Sequence, residues 1–170
     1  MQAIKQYAVP FVLSNLVFGL ALLAAMKRPM VARLFFVVAF LGAGIFNTWT
    51  AIKDPVAYLT YADTTPVRFY EEFIRGYFSA HVQEFVIIIA AGQILVGLAL
   101  VLDKRWTRLG CLGGMIFGVA IAPLGIGSAF PSTIVMSLAF LVLILKSPHD
   151  FVWNWSQYRR NLITTAPSGL

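Results

Sequence analysis

The polar residue best suited to chemistry in this sequence is Glu84, which stands with His81 just before a long apolar run. A carboxylate that is partly buried at a membrane boundary can titrate near neutrality. Together with His81, such a group could handle protons for a redox or transport reaction. The simpler alternative is that both side chains are interfacial and hydrated, and the sequence leaves both interpretations open.

A wider polar set surrounds this pair if successive apolar runs cross a membrane in opposite directions. Its members stand where the second run ends and where the third and fifth runs begin, at one side of a helical bundle. The candidate pocket residues are Asn47, Lys53, His81, Glu84 and Ser132. Such a one-sided cluster predicts a pocket for a polar headgroup, for example a quinone ring. Gln93 lies nine positions after Glu84, on roughly the opposite helix face, and is predicted to bond a neighbouring helix instead.

Several cofactor classes are disfavoured by residue type and position. The two histidines, His81 and His149, fall on opposite sides of the predicted bundle, so haem held between them is not expected. The single cysteine, Cys111, excludes an intrachain disulfide, and without a CxxCH motif covalent haem attachment is excluded too. No histidine and carboxylate stand at metal-ligand spacing within a run, so no metal site is predicted. Quinone stays possible, bound without a covalent link.

The elements that must position these residues are five apolar runs. Hydrophobic residues make up 59% of the chain and charged residues 12%, about half the charged fraction of a soluble domain. The predicted spans are 7–26, 31–52, 83–102, 109–124 and 130–145, with an outer loop at 53–80 and a tail at 146–170. We expect an all-α integral membrane bundle, with a four-helix core and one additional N-terminal span. The first span has features of a signal peptide, but the basic cluster after it favours a retained anchor.

The basic residues predict an orientation. Nine fall on one side: Lys27, Arg28, Arg33, Lys104, Arg105, Arg108, Lys146, Arg159 and Arg160. Four fall on the other: Lys5, Lys53, Arg68 and Arg75. The excess of basic residues predicts that the first side faces the cytoplasm. In the inner (plasma) membrane, the N-terminus would then lie outside and the C-terminus in the cytoplasm. The net charge of +6 is therefore read as membrane flanking rather than nucleic-acid binding, which is not expected.

Two further patterns predict packing. In the outer loop, VRFYEEFIRGYF has apolar residues at helical spacing, and its charges form i,i+4 pairs, so an interfacial amphipathic helix is expected. In the fourth span, Gly110, Gly114 and Gly118 allow close helix approach, and the last two form a GxxxG pair. This glycine face can serve either a partner helix, including one from another chain, or a helix of the same bundle.

The chain resembles the DoxX-like family of small four-span membrane proteins over about residues 31–146. The resemblance lies in the sequence GAGIFNTWTAIKDP, in Glu84 and Gly92, in GQILVGLALVLDKRWTRLG, and in the glycine-rich and short final spans. The N-terminal span and the long outer loop depart from the compact family pattern. The family is similar in places to the membrane subunit of thiosulfate:quinone oxidoreductase and to parts of terminal oxidase assemblies. The resemblance therefore implies a quinone-linked or accessory membrane role.

Two functions follow as expectations. The first is a membrane subunit of a quinone-linked respiratory oxidoreductase, with a quinone ring at the outer polar cluster. The second is a non-catalytic structural or assembly subunit of a larger membrane complex. Both imply the lipid bilayer and other membrane subunits, or a second copy, as partners. A transporter is less favoured, because five spans do not divide into two equal halves.

Overall fold

The computed structural model describes residues 2–146, apart from the side chains of residues 2–7 and of Lys104. The predicted tail therefore lies outside the described residues beyond Lys146. The helices are α1 (Gln2–Lys27), α2 (Pro29–Lys53), α3 (Tyr61–Thr64), α4 (Arg68–Phe73), α5 (Val82–Val101), α6 (Lys104–Ile121) and α7 (Ser132–Lys146). Short 3-10 helices cover Pro55–Thr60 and Ala122–Ser128, and a π-helical turn covers Ile74–Phe78. The protein is an all-α helical membrane bundle, as predicted.

Five helices pack side by side in a closed ring, in the order α1, α2, α5, α6, α7 and back to α1. We call the end where α2 and α6 begin the basic end, because lysine and arginine cluster there. We call the opposite end the cap end, because residues 54–81, the cap, fold across it. Proline at the start of α2 and the Asp54–Pro55 step at its close fix the limits of that helix.

Phenylalanine dominates the core between α2, α6 and α7. The rings of Phe36 and Phe140 have centroids 4.2 Å apart, and Phe40 meets Phe140 edge to face at 5.5 Å. Leu100, Leu143 and other small apolar side chains fill the remaining space. The outward faces of the helices are also apolar; Leu16, Leu95 and Ile116, for example, are each more than half exposed. Such surfaces suit lipid rather than water as the surrounding solvent.

Within residues 2–146, four helices are long and apolar enough to cross a membrane: Ala8–Lys27, Pro29–Lys53, Val82–Val101 and Arg105–Ser128. Helix α7 is shorter, with 15 residues, about 22 Å at the usual helical rise. It is nevertheless a full member of the ring, packed between α1 and α6.

Two sequence predictions at the basic end were wrong. The predicted spans 83–102 and 109–124 leave residues 103–108 between them as a basic turn, but α6 begins at Lys104 and only Leu102 and Asp103 connect it to α5. No residue in KRWTRL opposes helix formation, so the basic stretch simply extends α6. Arg33 was counted as a residue flanking the bilayer, yet it is 0% exposed. Its guanidinium donates to the carbonyl oxygen of Leu100, in the last turn of α5, and to that of Leu102, directly after the helix.

Candidate functional site

A cavity of about 540 Å³ lies at the cap end, between α2, α5, α6 and the cap. Its volume falls within the range of small-molecule sites, about 300–1,000 Å³. The walls are mostly aromatic and aliphatic, with polar atoms on one side, and none of the described lining residues is charged. The lining residues are Asn47, Tyr58, Tyr61, Tyr70, Phe73, Ile74, Phe78, Val86, Ile89, Gln93, Phe117, Ala120, Ile121, Leu124, Gly127, Ser128 and Ala129. The cavity therefore suits an uncharged, ring-bearing molecule.

The cavity occupies the space left where α5 and α6 separate. Towards the basic end the two helices touch: a Cβ on Gly110 would lie 3.1 Å from Ala99 Cβ, and one on Gly113 would lie 2.9 Å from Val96. Further along, Phe117 and Ala120 of α6 face the cavity opposite Ile89 and Gln93 of α5. Close approach at one end and separation at the other leave a wedge between the helices, which the cap covers.

Three polar side chains from three segments form a hydrogen-bonded relay at the cavity wall. The Tyr58 hydroxyl donates to Asn47 Oδ1 at 2.9 Å. Asn47 Nδ2 in turn donates to Gln93 Oε1 at 2.7 Å. Gln93 is 5% exposed, so the predicted interhelical bond of this residue is confirmed, and its partner is Asn47. Burial raises the pKa of the Tyr58 hydroxyl above its ordinary value, which keeps it a hydrogen-bond donor.

The cap is fastened to α6 and to the segment after it. Tyr70 donates to the carbonyl oxygen of Ala120 at 2.9 Å, next to the cavity. Thr64 and Thr65 donate to the carbonyl oxygens of Leu124 and Pro123, at 3.1 and 2.5 Å. Gly125 makes this close contact possible: its φ is +75°, and a Cβ there would collide with the carbonyl oxygen of Thr64. The cap is thus held in place by hydrogen bonds to backbone carbonyl oxygens at and just after the end of α6, where they have no partner within the helix.

The outer surface of the cap carries the predicted ion pairs. Arg68 pairs with Glu72 at 2.8 Å, and Arg75 pairs with Glu71 at 3.0 Å. Arg75 also reaches Asp63 at 2.7 Å and so joins α4 to α3. Hydrogen bonds with Glu71, and secondarily with Asp63, raise the pKa of Arg75. The expected amphipathic helix is seen as α4 plus the π-helical turn, with Ile74 and Phe78 buried and Phe69 and Tyr77 exposed.

The structure brings only one of the five predicted pocket residues to the cavity, namely Asn47. His81, Glu84 and Lys53 are exposed and line no part of it. Ser132 is fully buried, but its hydroxyl donates to the carbonyl oxygen of Ala129, in the segment just before α7. The reason is the direction of each side chain: Glu84 and Gln93 lie on opposite faces of α5, and the Gln93 face turns inward.

The glycines of α6 face helices of the same chain. A Cβ on Gly114 would lie 2.5 Å from the Phe140 ring, and one on Gly118 would collide with Ser137 of α7. Gly110 meets α5, as above. The sequence left open whether this glycine face packs against a partner chain or within the bundle. These contacts are with helices of the same bundle.

Sequence reasoning missed Gln93 as part of the site and missed Tyr58, Tyr61 and Tyr70 altogether. A signal for the first existed: Asn47 and Gln93 are amides in neighbouring apolar spans, and an unpaired amide in lipid is costly. The tyrosines gave a weaker signal, since aromatic residues with a polar tip are common at membrane boundaries. Among the described residues, no group of three histidine, cysteine or acidic side chains could hold a metal ion.

No protein-family model, no curated protein and no solved structure matches this chain.

Proposed function

We propose that this chain is a small integral membrane subunit of DoxX-like type, associated with a quinone-linked respiratory oxidoreductase, and that it holds a quinone ring in the cavity beneath the cap. The observation that carries the proposal is the cavity itself, with aromatic and aliphatic walls and one polar relay. A quinone matches this lining, because its ring is flat and apolar and its oxygens need hydrogen-bond partners.

The site of ring binding in this proposal differs from the one expected from the sequence. Glu84 and His81 are exposed to the surroundings, whereas Asn47 and Gln93 stand at the cavity wall. The ring therefore lies between α5 and α6 and makes its polar contact with the relay. The isoprenoid tail leaves past Ile89 and Ala120, the lining residues of α5 and α6 that are themselves exposed.

The test is the quinone content of the full chain purified from its own membrane in mild detergent, measured by mass analysis. Ala120→Phe places a ring inside the cavity and is expected to abolish retained quinone. Val119→Phe adds a ring at the adjacent position of α6, which is 54% exposed and is not part of the lining of this cavity, and is expected to retain it. Glu84→Gln is expected to retain quinone as well.

Two outcomes would contradict the proposal. Quinone absent from the wild-type chain, or lost equally from the Ala120→Phe and Val119→Phe variants, would remove the cavity as its site. Stable purification with a large membrane complex, in the absence of quinone, would then favour the structural or assembly subunit.

A further inference from the structure

The cavity beneath the cap has one side at which its lining reaches the outer surface of the bundle. Of the described lining residues, two are exposed, namely Ile89 on α5 and Ala120 on α6, and the others are buried or half-buried. The surface beside these two positions is apolar, since Ile88 is 70% exposed and Val119 is 54% exposed. The cavity therefore opens between α5 and α6 towards lipid rather than towards water.

The contacts between α5 and α6 place Ile89 and Ala120 opposite each other across this opening. An added Cβ at Gly113 of α6 would lie 2.9 Å from Val96 of α5, so these two residues are opposed where the helices touch. The helices run antiparallel, because only a short connection joins them. Ala120 follows Gly113 and Ile89 precedes Val96 by about two helical turns each, which returns both to the facing sides. We call the opening between Ile89 and Ala120 the mouth.

Other contacts around the cavity are too close to admit a ligand. An added Cβ at Gly44 of α2 would lie 2.9 Å from the carbonyl oxygen of Ala90 on α5. On the cap side, an added Cβ at Gly127 would lie 2.5 Å from Thr64 Oγ1. Entry from water would therefore require the cap to detach from the segment after α6. Entry from the bilayer requires only that side chains at the mouth move aside.

The depth of the mouth assigns it to one leaflet. Helix α5 begins at Val82, at the cap end, and has 20 residues, about 30 Å at the usual rise, which matches the hydrocarbon thickness of a bilayer. Ile89 lies about 10 Å along this helix from its start. The mouth is thus in the half of the bilayer nearest the cap.

We infer that the cavity takes up its ligand from the cap-side leaflet, through the mouth and with the cap in place, and that Ile89 controls the rates of entry and release. The inference rests on the proposed function and adds the route of supply, which is lateral diffusion of a membrane-dissolved ring compound. Ala120 presents only a methyl group at its side of the mouth. The larger side chain that a ring must pass is that of Ile89.

The test measures the rates at which a short-chain quinone binds to and leaves the full chain in phosphatidylcholine nanodiscs, followed by quenching of intrinsic fluorescence. Ile89→Trp narrows the mouth and is expected to slow binding and release together, each by about tenfold, with little change in the dissociation constant. Ile89→Ala is expected to speed both. A barrier changes both rates equally because it alters neither the free nor the bound state, whereas loss of a bound-state contact changes release alone.

Two control variants separate the mouth from its surroundings and from the cap. Ile88→Trp adds the same ring at the neighbouring position, which is not part of the lining of this cavity, and is expected to leave both rates unchanged. Thr65→Val removes a hydrogen bond that holds the cap to the carbonyl oxygen of Pro123, also outside the lining, and is expected to change neither rate.

The outcomes distinguish the inference from the function on which it rests. If the wild-type chain binds no quinone, the proposed function itself fails. If quinone binds but Thr65→Val speeds both rates, the ligand enters by way of the cap, so the proposed function stands and the inference is wrong. Rates that are unchanged in both Ile89 variants, or changed in release alone, contradict it as well. Should Ile89→Trp not fold, the two rates of Ile89→Ala decide the question.

Discussion

At the basic end, α5 and α6 touch through Gly110 and Gly113, whereas at the cap end the same two helices separate around a cavity of about 540 Å³. The two ends also use polar groups differently. Arg33 at the basic end is fully buried, and its guanidinium donates hydrogen bonds to carbonyl oxygens at the end of α5. Asn47 and Gln93 at the cap end bond each other at the cavity wall. A tightly closed end thus holds the helices in a fixed geometry, and the open end can keep a preformed space without collapsing.

The largest effect is expected when Arg33 is replaced. Arg33→Met keeps the long apolar stem but removes the donors to the Leu100 and Leu102 carbonyls. Leaving these carbonyls unsatisfied should lower the free energy of unfolding in detergent by about 3 kcal/mol. Arg105→Met, at an exposed position near the start of α6, is the matched control and should change it little. Equal losses in both variants would show that charge at this end, rather than the buried contact, matters.

A smaller loss of stability is expected when a side chain is added between α6 and α7, where the two helices are in close contact. Gly114→Ala places a methyl group against the Phe140 ring, and overpacking of this kind should cost about 2 kcal/mol of unfolding free energy. At Gly92 nothing lies within 4 Å of the added Cβ, so Gly92→Ala should be neutral, or stabilising by up to about 1 kcal/mol. A stable Gly114→Ala variant would contradict the close α6–α7 contact.

At the cap end, Tyr70→Phe should loosen the cap without unfolding the bundle. It removes the hydrogen bond to the Ala120 carbonyl, worth about 1 kcal/mol or about a fivefold change in the opening equilibrium. Hydrogen exchange of the amides in 61–78 measures that opening. Tyr77→Phe loses an exposed hydroxyl that makes no described hydrogen bond and should leave exchange unchanged. Equal exchange in wild type and Tyr70→Phe would mean that the threonine contacts alone hold the cap.

The smallest expected effect is a dependence of stability on pH through the Tyr58 hydroxyl. Burial raises the pKa of Tyr58 above 10.0, so the folded protein holds this proton more tightly than the unfolded chain. The resulting stabilisation is complete below the ordinary tyrosine pKa and is lost as the pH rises through the folded value. Ultraviolet titration of wild type minus Tyr58→Phe should show a phenol that ionises later than an ordinary tyrosine. A difference curve centred on the ordinary value would place Tyr58 in water.

Much of the bundle could be predicted from the sequence. The apolar runs predicted the helices. The charged i,i+4 pairs of the cap were correct because each joins residues about one turn apart along α4 and the π-helical turn that continues it. The prediction that Gln93 turns away from Glu84 was also correct, since helical periodicity alone decides it. The site itself was not predictable in this way. Tyr58, Asn47 and Gln93 come from a short 3-10 helix and two long α-helices, and nothing local specifies that they meet.

The sequence by itself therefore determined that this is an all-α membrane bundle with its basic residues concentrated at one end. Length, hydropathy and helical period are local properties, and they require no knowledge of neighbouring helices. The tertiary structure alone decided the ring order, the closure of α5 on α6 at the basic end, and their separation at the cap end. These depend on which glycine meets which side chain across helices. For that reason the exposed carboxylate of Glu84 lies outside the cavity, and the amide of Gln93 lines it.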